Sequence, residues 1–406
     1  MYIKRHIEET INKAKDTFPS VLITGPRQVG KSRVLKEMYP NYKSETLDDY
    51  KMIEAISSDP LGYLKLQQTP FIIDEVQKVP LLFGSLKYLI DRERKNGMYI
   101  LTGSQKFELM KGVSESLSGR ISIINLLGLS LREMSNDTFN TPFIPTEDYL
   151  LSRNPKTKLD IKELWKIIHN GSMPALYEDT NRDWERYYSD YVSTYIERDV
   201  RQLSQVGDTL TFMQFIVSLA ARTGELLNMD SIANDIGVSA PTIKKWISIL
   251  EASNIIYLLQ PFSLNTTKRV VKTPKVYFTD TGLVCYLCRW LTPETLMNGA
   301  QSGNIFETFV VNEIIKSYYN KGKKPNIYFF RNKDAQEVDL IIYQDGKIYP
   351  VEIKKTSSPN IKDIKNFKTL KTYFPTTEIA EGGIICTSEQ LLPLGIGNKI
   401  IPVNFI

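Results

Sequence analysis

The chain has 406 residues, 42% of them hydrophobic and 24% charged, which excludes a disordered or fibrous polymer and makes two or three domains the expectation. Its 51 basic and 46 acidic residues leave a net charge of +5, too small an excess to demand a polyanionic partner. Three cysteines exclude a disulfide framework, no run approaches a membrane span, and the opening Met-Tyr-Ile-Lys-Arg-His lacks a signal-peptide stretch, so a cytoplasmic protein with no membrane partner is expected.

Residues 1–135 read as alternating strands and helices, an α/β arrangement that favours a parallel sheet covered on both faces. The strand candidates Val21–Ile23, Phe71–Ile73 and Tyr99–Leu101 are short and apolar, and each runs into a polar loop. The first of these loops is Gly25-Pro26-Arg27-Gln28-Val29-Gly30-Lys31-Ser32, which fits G-x-x-x-x-G-K-[ST] between a strand and a helix. Glycines there let backbone N–H groups and a helix N-terminus close around phosphates; Lys31 would counter the β and γ charge and Ser32 would ligate Mg²⁺. The second strand ends in Asp74-Glu75, with Asp74 expected on the Mg²⁺ and Glu75 expected to polarise the attacking water. The third ends in Thr102-Gly103-Ser104, small hydroxyl residues where a γ-phosphate sensor would lie. ATP and Mg²⁺ are therefore the expected ligands.

Residues 136–225 form a polar, Pro-containing linker followed by a helical lid region, with helices expected over Trp184–Leu203 and Leu210–Leu227. Residues 226–300 carry a helix-turn-helix spacing. Ile232, Ala233 and Ile236 face inward, Gly237 suits a positive-φ turn, Ser239 suits an N-cap, and Ile243, Trp246, Ile247 and Leu250 form the next buried stripe. Thr242, Lys244 and Lys245 are left outside, either as DNA contacts of a recognition helix or on a connector that docks on its own protein. The basic residues Lys268, Arg269, Lys272 and Lys275 read as a solvated surface or a nucleic-acid contact, as do Lys321, Lys323 and Lys324. Cys285 and Cys288 belong to an expected buried helix rather than a metal site.

Residues 301–406 open with a helix, Asn304–Tyr318, followed by strand-like runs. In Glu337-Val-Asp339 and Glu352-Ile-Lys354, strand alternation puts each pair of charged residues on one face, so that the carboxylates and the lysine converge. Asp339 and Glu352 would bind Mg²⁺, Lys354 would orient water or stabilise phosphodiester charge, and Glu307 would add a ligand or orient the site.

The combination of Gly25–Lys31, Ile73–Pro80, Leu101–Ser104, Ser114–Arg120 and Tyr195–Val200 resembles the bacterial and archaeal AAA-superfamily ATPases that carry a winged-helix segment and a PD-(D/E)xK nuclease-like tail. The resemblance implies a P-loop NTPase parallel sheet, then an all-α winged-helix segment, then an α/β restriction-endonuclease-like domain. It implies Ser104 as the sensor and Arg120 as the arginine that completes the site in cis or from a neighbouring subunit, with Arg27, Arg132 and Arg198 as alternatives. It also implies a DNA-associated, ATP-driven protein able to assemble as a homo-oligomer. The tail either cuts DNA or, in a regulatory switch, only binds nucleic acid or a partner. A small-molecule kinase would leave the two later segments unexplained.

Overall fold

The computed structural model describes residues 2–104, 113, 115–155, 159–196, 209–263 and 273–406. Strands β1 (Ser20–Thr24), β2 (Lys43–Thr46), β3 (Phe71–Asp74), β4 (Tyr99–Gly103) and β5 (Ile121–Asn125) form an all-parallel sheet in the order β2-β3-β4-β1-β5. The apolar runs are unbroken because both faces are covered. Val21, Ile23, Ile72 and Ile100 pack with Ile11, Val34 and Leu35 of two helices, Glu8–Thr17 and Lys31–Met38. Alternate residues Leu22, Phe71, Ile73 and Leu101 pack with Phe83, Leu86 and Ile90 of the helix Leu82–Glu93 on the other side. All four joins are parallel, so the loops that follow β1, β3 and β4 emerge at one edge, where ligands collect in such sheets.

The middle of the chain is mainly helical. Helices Ile161–Asn170, Trp184–Tyr191 and Thr209–Ala220 precede a pair, Met229–Ile236 and Ala240–Ala252. Gly237 caps the first of the pair at φ 78°, and the Ser239 side chain caps the second. Ile243, Trp246, Ile247 and Leu250 are buried, with Trp246 against Phe212 and Phe215 at ring separations of 5.3 and 5.2 Å. This part is not all helical as expected: β6 (Ile256–Leu259) and β7 (Lys275–Phe278) pair antiparallel. Lys268, Arg269, Lys272 and Arg198 lie outside the described residues.

The last part begins with the 18-residue helix Ser302–Tyr319. It packs on a mixed sheet built from β8 (Ile327–Arg331), β9 (Glu337–Gln344), β10 (Lys347–Lys354), β11 (Glu378–Ile379), β12 (Gly382–Cys386), β13 (Leu392–Pro393) and β14 (Asn398–Pro402). The strand order is β13-β14-β12-β10-β9-β8, with β11 also on β10. Among the described residues no helix is long and apolar enough to cross a membrane.

Buried polar contacts join this last part to the end of the first. The Leu131 amide donates to Glu313 Oε2 at 2.8 Å, and Lys316 Nζ donates to Leu129 O and to Glu313 Oε1, both at 2.8 Å. Arg132, expected among the site arginines, instead donates to the carbonyls of Ile406, Phe139 and Thr141 and to the Tyr149 hydroxyl. Removing one partner of a buried ion pair leaves the other charge without compensation, which costs about 3–5 kcal/mol. Glu313→Ala should therefore destabilise the protein by roughly that amount, read as a lowered urea midpoint; an unchanged midpoint would show that the joint carries no stability.

Candidate functional site

β1 exits through Gly25, whose backbone runs so close to the chain after β5 that a Cβ there would lie 1.9 Å from Leu126 O. Only glycine fits. Gln28 and Gly30 adopt φ of 62° and 91°, and Gly30, which has no side chain to make a cap bond, is the N-cap of the helix Lys31–Met38. The first-turn N–H groups and the helix dipole make this a position that favours anions. A Cβ on Gly30 would meet nothing within 4 Å, so the loop faces open space. Lys31, only 6% exposed, donates from Nζ to Pro26 O at 2.7 Å and Gly25 O at 3.1 Å.

The two carboxylates at the end of β3 stand across the cleft from this loop. Asp74 Oδ2 accepts from Ser32 Oγ at 2.7 Å, and its other oxygen accepts from Thr102 on the intervening strand β4. Glu75 sits at φ 57°; its Oε1 accepts from Ser104 Oγ at 3.0 Å and its Oε2 from Gln77. Ser32, Asp74, Glu75 and Ser104 are thus brought together as the sequence reading expected. A cavity of about 430 Å³ opens here, lined by the loop residues Arg27, Gln28, Gly30, Lys31 and Ser32, by Glu75 and Ser104, and by Ala175, Arg182 and Tyr195 from the helical middle. The glycine cradle, the helix N-terminus and the hydroxyl–carboxylate pair fit a triphosphate with a divalent metal: Gly25–Ser32 would surround the phosphates, and Ser32 with Asp74 would hold the metal.

The arginines distribute differently from expectation. Arg120 precedes β5 and its carbonyl accepts from the Ser20 amide, placing it at the opposite edge of the sheet, about a strand length, roughly 15 Å, from the loop. Its guanidinium pairs with Asp91. It therefore does not complete this site in cis. Arg27 lies within the loop, 5.5 Å from the Tyr195 ring centre. Arg182, which the sequence reading passed over, lines the cavity from the turn before the helix Trp184–Tyr191; no local motif marks it, since it enters the site only through packing of the middle segment.

The second group of predicted residues also converges. Asp339 Oδ2 accepts from the Ile353 amide at 2.9 Å and from Lys354 at 3.4 Å, and Lys354 reaches Glu352 Oε1 at 2.8 Å. Glu307 Oε1 accepts from Tyr277 at 2.6 Å and from Lys275 at 3.0 Å, and Lys275 also pairs with Glu337. Lys275 is a correction. Read as surface charge, it is 4% exposed and sits among the carboxylates as their built-in counter-cation. Burial disfavours its charge, but Glu307, Asp339 and Glu337 outweigh that and raise its pKa. Among the described residues no three His, Cys, Asp or Glu side chains are disposed to hold a metal ion, so the Glu307, Asp339 and Glu352 ligand set expected from sequence is not preformed.

Elsewhere, Lys244 and Lys245 are exposed on the helix Ala240–Ala252, while Thr242 is half-buried with its hydroxyl 2.8 Å from Ser239 Oγ. Cys285 is buried and Cys288 half-buried in and beside the helix Thr281–Leu287.

Three family models match successive stretches of the chain: an AAA domain over residues 17–135, a domain of unknown function (DUF8612) over 161–294, and another (DUF4143) over 302–406. Residues 17–135, which carry the glycine loop and both carboxylates at the end of β3, are the stretch similar to the AAA domain. An uncharacterized protein of Mycobacterium tuberculosis is 26% identical over 405 residues, covering 99% of this chain and 84% of that protein. An uncharacterized protein of Haemophilus influenzae is 22% identical, covering 93% of this chain and 95% of its own length. Of solved structures, a Walker-type ATPase of Pyrococcus abyssi is 15% identical with a TM-score of 0.45, covering 70% of this chain and 96% of that one. The Thermotoga maritima RuvB Holliday junction branch migration motor gives 14% and 0.28, covering 62% and 88%. Both scores are too low to carry an argument.

The carboxylate cluster makes a pH prediction. Burial, and then the charge of Asp339, push the Glu352 carboxyl up to about 8. An unfolded glutamate loses its proton near 4.5, so between that value and about 8 the folded state holds more protons and stability falls as pH rises. Between about pH 5 and pH 8 the wild type should lose at least about 1 kcal/mol more unfolding free energy than Glu352→Gln. Urea unfolding at a series of pH values checks this, and parallel profiles would contradict it.

Proposed function

We propose that the chain is a Mg²⁺-dependent ATPase in which nucleotide turnover in the AAA domain alters the geometry of the two following segments, with DNA as the macromolecular partner. The observation that carries the ATPase reading is the hydrogen-bonded set Ser32–Asp74 and Ser104–Glu75 facing the glycine loop across one cavity. Mg²⁺, when bound, would neutralise charge on the phosphates. Lys31 would oppose phosphate charge from the loop. Glu75, both of whose oxygens are held by neighbouring side chains, would orient water and accept its proton. Ser104 bonds Glu75 directly, so a change at the γ-phosphate would reach the base through one hydroxyl. Arg182 and Tyr195 would report nucleotide state to the helical middle, since both line the cavity from that segment. Arg120 would act only on a neighbouring subunit of a homo-oligomer, being at the far edge of its own sheet.

The DNA reading is supported by the paired helices with their tight Gly237 turn and by the exposed Lys244 and Lys245. For the C-terminal domain a specific observation favours binding over cutting. Lys275 and Lys354 already pair with the carboxylates that a nuclease would give to its metal. We therefore read residues 301–406 as a domain of restriction-endonuclease-like strand arrangement that engages a partner or nucleic acid without cleaving it.

Lys31→Ala should abolish ATP turnover, and Glu75→Gln should keep ATP binding while slowing turnover by about a hundredfold or more. Phosphate release with and without Mg²⁺ reads both, and turnover at the wild-type rate in Lys31→Ala would defeat the ATPase reading. Fluorescence anisotropy with duplex DNA should give an affinity that falls steeply with salt. Replacing Lys244 and Lys245 by Ala should reduce that slope by about one to two, whereas salt-independent or undetectable binding would remove DNA as the partner.

A further inference from the structure

The phosphate-binding loop is held from behind by a residue far from the motif. Arg5 is 3% exposed, and its guanidinium makes four hydrogen bonds: Nη1 to Val29 O at 2.9 Å, Nη2 to Leu127 O at 2.8 Å and Gly128 O at 3.1 Å, and Nε to Glu133 Oε1 at 3.0 Å. Val29 is part of the loop, and the other acceptors belong to the chain that follows β5. Glu133 is itself fully used. Its Oε1 also accepts from the His6 amide, and its Oε2 accepts from the Ser130 amide and hydroxyl. Burial opposes its charge, but Arg5 and its other donors hold its carboxyl below the usual glutamate range.

A trans peptide is planar, so the Val29 carbonyl and the Gly30 N–H point in opposite directions across one bond. Turning Val29 O onto Arg5 turns the Gly30 N–H away from the guanidinium, in a residue that lines the nucleotide cavity. The backbone alone does not secure that orientation. Gly30, at φ 91°, tolerates many conformations, so on its side a rotation of the Val29–Gly30 peptide meets little steric resistance. A rotated peptide would present a carbonyl oxygen, which repels phosphate, where an amide should stand. We infer that Arg5 is a positioning residue for ATP: by fixing the Val29 carbonyl it aims the Gly30 amide at the polyphosphate. The inference rests on the ATPase reading above and concerns phosphate affinity rather than the chemical step.

The test compares the wild type with Arg5→Lys, which keeps a positive charge but loses the planar fork, and with Arg5→Met combined with Glu133→Gln, which leaves no unpaired buried carboxylate. Binding of a fluorescent ATP analogue, and its displacement by inorganic pyrophosphate, are measured below each variant's melting temperature. The double variant should lose affinity for both by about tenfold or more, the change expected for losing an anchored amide contact to a charged group. Arg5→Lys should fall between it and the wild type, while adenosine, which has no phosphate, should compete equally weakly with all three. A residue needed only for folding would lower the melting temperature and leave phosphate affinity in the folded protein unchanged, and that result overturns the inference. Should the double variant not fold, Arg5→Lys decides: wild-type affinity for ATP and pyrophosphate overturns the proposal. Wild-type protein that takes up no ATP overturns the ATPase reading and this inference with it, whereas variants that bind as tightly as an active wild type overturn this inference alone.

Discussion

Gly25 lets the backbone leaving β1 pass against the Leu126 carbonyl at a distance no side chain tolerates, and the loop that follows is placed by that approach. From there the helix Lys31–Met38 begins over the carboxyl edge of the sheet. Ser32 then stands opposite Asp74, although β1 and β3 are not neighbours and β4 lies between them. The crossing works because β4 ends in Thr102 and Gly103 and is followed by Ser104. Small residues leave room for the loop and both acidic side chains, and their two hydroxyls bond Asp74 and Glu75 rather than block them. Arg5 closes the arrangement from the rear, so that the loop is held on the strand side by backbone contact and on the buried side by a guanidinium.

The helix Ser302–Tyr319 is where the AAA domain and the C-terminal sheet meet. One part of it carries Glu313 and Lys316, which bond the backbone of Leu131 and Leu129 just beyond β5; another carries Glu307, which joins the cluster around Lys275. Lys275 belongs to β7 of the middle segment, so one rigid element touches all three parts of the chain through buried charges. Such pairs are costly to separate singly, which favours movement of the parts as bodies over piecemeal loosening. A displacement at the end of the first sheet would thus have a packed route to the sheet that bears Asp339 and Glu352.

Much of this was legible in the sequence wherever local chemistry dictates geometry. The glycine loop, the apolar strands ending in Asp74-Glu75 and Thr102-Gly103-Ser104, the paired helices around Gly237 and the alternation in β9 and β10 all followed from spacing. Edge strands escaped: β2 reads Lys-Ser-Glu-Thr, polar because it lies at the rim of its sheet, and β5 is only partly buried. The β6–β7 pair was hidden by its shortness and by the long connection between its strands. Charged residues were the hardest to place, because burial of an ion pair is a tertiary fact. Lys275 reads like any basic surface residue until three carboxylates surround it, Arg120 looks like a site residue until the strand order puts it at the far edge, and Arg5 and Arg182 carry no local signal at all.

The most direct measurement is titration calorimetry of the intact protein with a non-hydrolysable ATP analogue, with and without Mg²⁺. One analogue bound per chain, with affinity that strengthens when Mg²⁺ is supplied, is the result predicted by a glycine loop backed by Ser32 and Asp74. Absence of heat under both conditions, in protein shown to be folded, would contradict the account.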